Sequence, residues 1–283
     1  MRRLVPFALA VSLALPAAPA VAAAPEIHAH RGGPLENGVP VTPENSMTAF
    51  KHARAIRADV VELDAKLTSD DVPIVMHDVS LDRTTDCAGN VRAHTAAEIL
   101  DGACHIDIIG TEGNSIPAPG STEPVPSLAE VLRWARRKRV RLNLEIKNIP
   151  TDADFDPTLH FADVVLSAVE ASGIPKSQVL IQSFWPPNLD LAQLRGFDTS
   201  LLTLSQLDEG GILYGTARLY DWVSPSWPPN VDPAGYVALA HALGKKVVPY
   251  TLDTSAAIRQ AATAGVDALI TNDPPLAQSL LRP

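Results

Sequence analysis

The chain has 283 residues, 46% of them hydrophobic, with 32 Asp and Glu against 23 Lys and Arg for a formal net charge of −9. That length suits one large domain or two small ones and leaves enough apolar sequence for a sizeable core. The acidic balance argues against a nucleic-acid backbone as partner, which needs a basic footprint, and against electrostatic docking on anionic lipid.

Residues 1–24 read as a secretory signal peptide. Arg2 and Arg3 make a basic start, Leu4 to Leu15 are mostly apolar, and Ala20-Val21-Ala22 fits a small-residue cleavage site. The apolar run is short for a membrane anchor and is interrupted by Pro16 and Pro19. The expectation is a secreted or extracytoplasmic protein with no stable membrane span, whose mature part, residues 25–283, forms a single domain.

From residue 26 onward short apolar runs alternate with amphipathic stretches. Strands are expected at 26–31, 60–68, 141–147, 179–184, 200–204, 222–226, 247–251 and 268–271, and helices at 44–57, 128–139, 159–171, 233–243 and 255–264. Pro43 precedes the first helix, Ser127 can cap the second, and Gly173 and Gly244 follow two others. Eight strands alternating with helices point to an α/β protein built as a (β/α)8 barrel, with a doubly wound open sheet as the alternative.

Two segments depart from the alternation. Residues 73–78 (PIVMHD) follow the second strand after a turn too short for a parallel crossover. They are expected to fold back as an antiparallel hairpin strand that brings His77 near Glu62 and Asp64. Residues 79–126 form a long insertion holding both cysteines, Cys87 and Cys104. An isolated pair in an exported chain favours a disulfide, and closing this loop adds roughly 3 kcal/mol. The insertion is expected to be an ordered cap over the barrel mouth.

The charged residues of the strands carry the chemistry. Side chains alternate along a strand, so Glu62 and Asp64 share a face, as do Glu145 and Lys147, while Leu63, Leu144 and Ile146 face the other way. In a barrel the helix-facing side is apolar, so the charged set points inward toward the C-terminal ends, where active sites of this fold lie. Three converging carboxylates raise one another's pKa unless a cation sits between them. Hard oxygen donors suit one divalent cation such as Ca²⁺, Mg²⁺ or Mn²⁺; a salt-bridged network with Arg31 and Lys147 is the alternative. His30 and His77 are candidates for general acid and base, and Arg31 and Lys147 for holding phosphate. His28 faces the same way as His30 but one layer deeper, and reads as core. His52, His94, His105, His160 and His241 have no partner legible in the sequence.

His30-Arg31-Gly32, Pro43-Glu44-Asn45, Val61-Glu62-Leu63-Asp64, Pro73 to Asp78, Leu81 to Thr85, Asn143 to Lys147, Ser183-Phe184 and Ile270 to Pro274 together resemble glycerophosphodiester phosphodiesterases. The resemblance spans roughly residues 26 to 276. It implies a barrel with an insertion after the HD strand, and Glu62, Asp64 and Glu145 as metal ligands. It further implies His30 and His77 as the acid–base pair, Arg31 and Lys147 on the phosphate, and Glu44 behind them. The implied substrate is a small-molecule glycerophosphodiester, cleaved to sn-glycerol 3-phosphate and an alcohol. Ca²⁺ is the favoured cation for an exported enzyme, with Mg²⁺ the other option. A related barrel phospholipase, of lysophospholipase D or phosphoinositide-cleaving type, and a non-catalytic phosphate-binding barrel are the alternatives. Departures from the family pattern lie in the loop between Gly33 and Pro43 and at Ser46, Tyr250 and Asp253.

Overall fold

The structure, a computed structural model, describes residues 24–204, 215, 219–229 and 232–282. The predicted signal peptide lies outside the described residues apart from Ala24. No helix among the described residues is long and apolar enough to cross a membrane.

Eight parallel strands form the core: β1 Glu26–Ala29, β2 Val60–Leu67, β3 Leu142–Ile146, β4 Val179–Ser183, β5 Asp198–Thr203, β6 Trp222–Pro225, β7 Lys246–Val247 and β8 Ala268–Thr271. They are paired in the order β7-β6-β5-β4-β3-β2-β1-β8. Between β7 and β8 the Asp267 N–H donates to Val247 O at 3.0 Å and the Ile270 N–H to Pro249 O at 2.9 Å. A third bond, from the Leu252 N–H to Ile270 O at 2.9 Å, completes this seam. The expected barrel is therefore found, rather than an open sheet.

Around it stand α1 Met47–Ala55, α2 Leu128–Lys138, α3 His160–Ala171, α4 Pro186–Leu194, α5 Pro233–Ala242, α6 Ser255–Ala264 and α7 Pro274–Leu281. The helix-facing strand residues Ile27, Val61, Leu63, Leu144, Ile181 and Val223 are buried in one core with the inner faces of these helices. Burying each large aliphatic side chain stabilises by about 1.5–3 kcal/mol, so the alternation that sends them outward also fixes which residues turn inward.

Three expectations need adjustment. The first strand stops at Ala29, because Arg31 (φ 49°) and Gly32 (φ 90°) take left-handed backbone, so His30–Gly32 form a tight 3₁₀ turn instead. Helix α1 begins at Met47, capped by the Ser46 hydroxyl, which accepts from the Ala49 N–H at 3.0 Å; Pro43 and Glu44 belong to the preceding loop. Helices α4 and α7 were not expected: each opens on a Pro-Pro pair, which the first turn of a helix tolerates because its N–H groups have no intrahelical partner.

The strand Pro73–Val75 pairs antiparallel with β2, matching Ala65 to Val75, as the short turn requires. The insertion that follows has its own small core, where Ile74, Met76, Leu81, Val91, Ile99 and Ile106 pack together. Cys87 and Cys104 are joined in a disulfide beside it. The insertion is ordered around that core and is joined to the loop that carries Glu44. It is tied there by the Glu44 N–H donating to Gly110 O at 3.0 Å and the Gly110 N–H to Thr42 O at 2.8 Å.

Candidate active site

Strand register builds the acidic cluster. β2 and β3 pair Glu62 with Asn143 and Asp64 with Glu145, so the three carboxylates meet on neighbouring staves at the C-terminal end of the barrel. One oxygen from each of Glu62, Asp64 and Glu145 lies within 4.8 Å of the others. All three residues are buried.

Their surroundings hold them in place without filling them. The Glu62 carboxylate accepts from the Arg31 backbone N–H at 2.7 Å and from Gln182 Nε2 at 2.8 Å. Asp64 Oδ2 accepts from Asn45 Nδ2 at 2.8 Å, while Asp64 Oδ1 is buried and accepts no hydrogen bond. Lys147 Nζ lies 3.2 Å from Glu145. Burial and repulsion from Asp64 push the Glu62 carboxyl well above its ordinary range, and burial also raises Glu145 against the pull of Lys147. For Asp64, burial is outweighed by His77, Lys147 and Arg31, and its pKa is lowered. An orphaned buried carboxylate oxygen beside two acids of raised pKa fits a bound divalent cation.

A cavity of about 160 Å³ opens onto this cluster, and both His30 and His77 line it with Arg31 and Lys147. Each imidazole is held by its Nδ1. His77 Nδ1 lies 2.6 Å from Asp78 Oδ1, and Asp78 is gripped in turn by Arg83, whose Nε donates to Asp78 Oδ2 at 2.5 Å. The same guanidinium donates to both oxygens of Glu44, at 2.7 and 3.0 Å, and Glu44 also accepts from Arg31 Nη1 at 2.9 Å. Burial raises the Glu44 pKa, but the hydrogen bonds from Arg83 and the charges of Arg31 and Arg83 prevail and hold it at about 2. His30 instead meets a neutral amide, Asn272 Oδ1, at 2.7 Å from Nδ1. Burial, reinforced by the Arg31 guanidinium, lowers the His30 pKa to about 3.

The residues singled out from sequence thus converge: His30, His77, Glu62, Asp64, Glu145, Arg31 and Lys147 at the cavity, with Glu44 behind Arg31. Gln182, Asn45, Asp78, Arg83 and Asn272 complete the site and had no assigned role, although four of the five fall within the quoted motifs and Gln182 directly precedes one. Gln182 is signalled only by being a polar residue on the inward face of β4, next to Glu145 in register. His28 is buried below, its Nδ1 3.3 Å from Asn143 Nδ2, as core packing requires. The other histidines have acidic or carbonyl partners away from the site: Glu36 for His52, Ala88 O for His94, Asp86 for His105, Asp71 for His160 and Asp267 for His241.

An inward cluster of acids, two imidazoles and two buried cations at the mouth of a parallel barrel defines a barrel of the phosphodiesterase class. Residues 30–276 match the model of the glycerophosphoryl diester phosphodiesterase family. The chain belongs to that family. It is 28% identical over 256 residues to a glycerophosphodiester phosphodiesterase of Bacillus altitudinis, covering 88% of this chain and 95% of that one. It is 29% identical over 265 residues to one from Caldanaerobacter subterraneus subsp. tengcongensis, covering 90% and 96%. Among solved structures it resembles a putative glycerophosphoryl diester phosphodiesterase from Silicibacter pomeroyi, with TM-score 0.73, 25% identity and coverage of 92% and 93%. It shares its fold with an Oleispira antarctica phosphodiesterase solved with its product sn-glycerol-3-phosphate, at TM-score 0.71, 20% identity and coverage of 92% and 98%.

Proposed function

We propose that this chain is an exported, divalent-cation-dependent phosphodiesterase that hydrolyses glycerophosphodiesters to sn-glycerol 3-phosphate and an alcohol, with His30 as general base and His77 as general acid. The observation that carries the reading is the convergence of Glu62, Asp64 and Glu145 within one cation's reach, in a cavity both imidazoles line. The activity named for its relatives agrees with it.

Glu62, Asp64 and Glu145 would hold the cation, with Ca²⁺ favoured over Mg²⁺ because an exported enzyme meets abundant Ca²⁺. When bound, it supplies Lewis-acid stabilisation of charge on the phosphoryl oxygens. Arg31 and Lys147, which line the same cavity, would hold the phosphate, one by a guanidinium fork and one by a point charge. His30, with its pKa lowered to about 3, is neutral at working pH and free to take a proton at Nε2. That proton comes from the attacking hydroxyl, either water or the vicinal hydroxyl of the glycerol itself, which would give a cyclic phosphate for water to open. His77, whose Nδ1 lies 2.6 Å from Asp78 Oδ1, is oriented by that contact and protonates the leaving alcohol.

The test is metal analysis of the purified protein combined with release of glycerol 3-phosphate from glycerophosphocholine. A chelator should abolish turnover and Ca²⁺ or Mg²⁺ should restore it, with lysophosphatidylcholine cleaved poorly. Full activity in a metal-free, chelated enzyme would overturn the metal-dependent reading.

A further inference from the structure

The motif Ile270 to Pro274 and the departure at Asp253 meet at His30. Asn272 is buried at the end of β8, with its backbone carbonyl accepting from the Leu35 N–H at 2.9 Å. Its side chain spans two partners: Oδ1 lies 2.7 Å from His30 Nδ1, and Nδ2 donates to Asp253 Oδ2 at 2.6 Å. Asp253 Oδ1 accepts from the Asn272 backbone N–H at 2.8 Å and the Thr271 hydroxyl at 3.2 Å.

The polarity of this chain has one solution. A carboxylate only accepts, so the Asn272 amide must turn its NH₂ toward Asp253. Its carbonyl oxygen then faces His30, and an oxygen can only receive a proton from Nδ1. The imidazole is left with Nδ1 protonated and Nε2 bearing the lone pair, the arrangement a base working through Nε2 requires. Burial of Asn272 makes the alternative amide orientation costly, because it would set the amide oxygen against the Asp253 carboxylate with no proton between them.

We infer that Asp253 and Asn272 are positioning residues that lock His30 in the Nδ1–H tautomer without touching substrate. The inference deepens the reading above and rests on His30 as the base. It makes a particular demand of Asp253→Asn. The introduced carboxamide would keep its oxygen on the Asn272 and Thr271 donors and turn its NH₂ toward the Asn272 side chain. Asn272 would then flip and donate to His30 Nδ1, driving the proton to Nε2. The reversed pair, Asp253→Asn with Asn272→Asp, restores a carboxylate that accepts from both sides and returns the proton to Nδ1.

The experiment uses full-length, metal-loaded enzyme with ¹⁵N-labelled histidine, reading which His30 nitrogen carries the proton, alongside kcat and KM for glycerophosphocholine. Wild-type protein should show the proton on Nδ1. Asp253→Asn should move it to Nε2 and lower kcat about 10²-fold with KM changed less than about 3-fold. The double variant should recover the tautomer and most of kcat. A wild-type proton on Nε2, or an Asp253→Asn enzyme with unchanged tautomer and rate, would overturn the lock; the wild-type spectrum decides even if the single variant does not fold. A fully active His30→Ala enzyme would instead remove the base assignment while leaving the tautomer result standing, so the two failures are distinct.

Discussion

The two sides of the cavity hold their imidazoles by opposite means. On the insertion side, His77 is the end of a run of alternating charges, Asp78, Arg83, Glu44 and Arg31, that ties the imidazole and the Arg31 guanidinium to the insertion. On the seam side, His30 rests against an uncharged amide. The difference teaches how one fold holds two copies of one side chain differently: a charged run anchors the imidazole on the insertion side, and a buried carboxamide anchors the one on the seam side.

The largest effect expected is on chemistry. His30→Ala and His77→Ala should each lower turnover of glycerophosphocholine by about 10²–10⁴-fold. An aryl glycerophosphodiester would separate them, because its phenolate leaves without a proton. His77→Ala should recover most of its loss on that substrate and His30→Ala should not. Equal losses on both substrates would erase the comparison. Next comes Arg83→Leu, which removes the shared partner of Asp78 and Glu44. Turnover should fall about 10-fold and stability by about 2 kcal/mol, read by initial rates and urea unfolding.

Acid titration sharpens the same contrast. Glu44 is held at about 2, below its ordinary value, so its contribution is complete above pH 4.5 and is lost as pH falls toward 2. Stability measured across that window should drop by about 3 kcal/mol from this group, and Glu44→Gln should flatten the drop. The smallest effect on turnover belongs to the disulfide. Cys87→Ser with Cys104→Ser should lower stability by about 3 kcal/mol while changing kcat less than about 3-fold. The insertion's links to the site run through Arg83 and residues 110–112 instead.

Most of this was legible in the sequence because barrel strands alternate. Once Leu63 and Leu144 are assigned outward, Glu62, Asp64 and Glu145 must turn inward, and register does the rest. The hairpin strand followed from a turn too short for a crossover. The residues that orient the site were not legible. Gln182 reaches Glu62 across 120 residues and Asn272 reaches His30 across 242, and no local pattern encodes such contacts. Helices α4 and α7 lay outside the expected set although each opens on a proline pair, Pro186-Pro187 and Pro274-Pro275, that suits a first turn. The end of β1 depended on backbone sign at Arg31, which composition does not reveal.

The seam between β7 and β8 has a consequence beyond closing the ring. Asp253 follows one of these staves and Asn272 the other, so the clasp that orients His30 is also a stitch across the barrel's join. Parting there would unseat the imidazole while leaving the remaining staves paired. On warming, activity should therefore fade at a lower temperature than far-ultraviolet ellipticity and recover on cooling; coincident curves would show that the join does not part first.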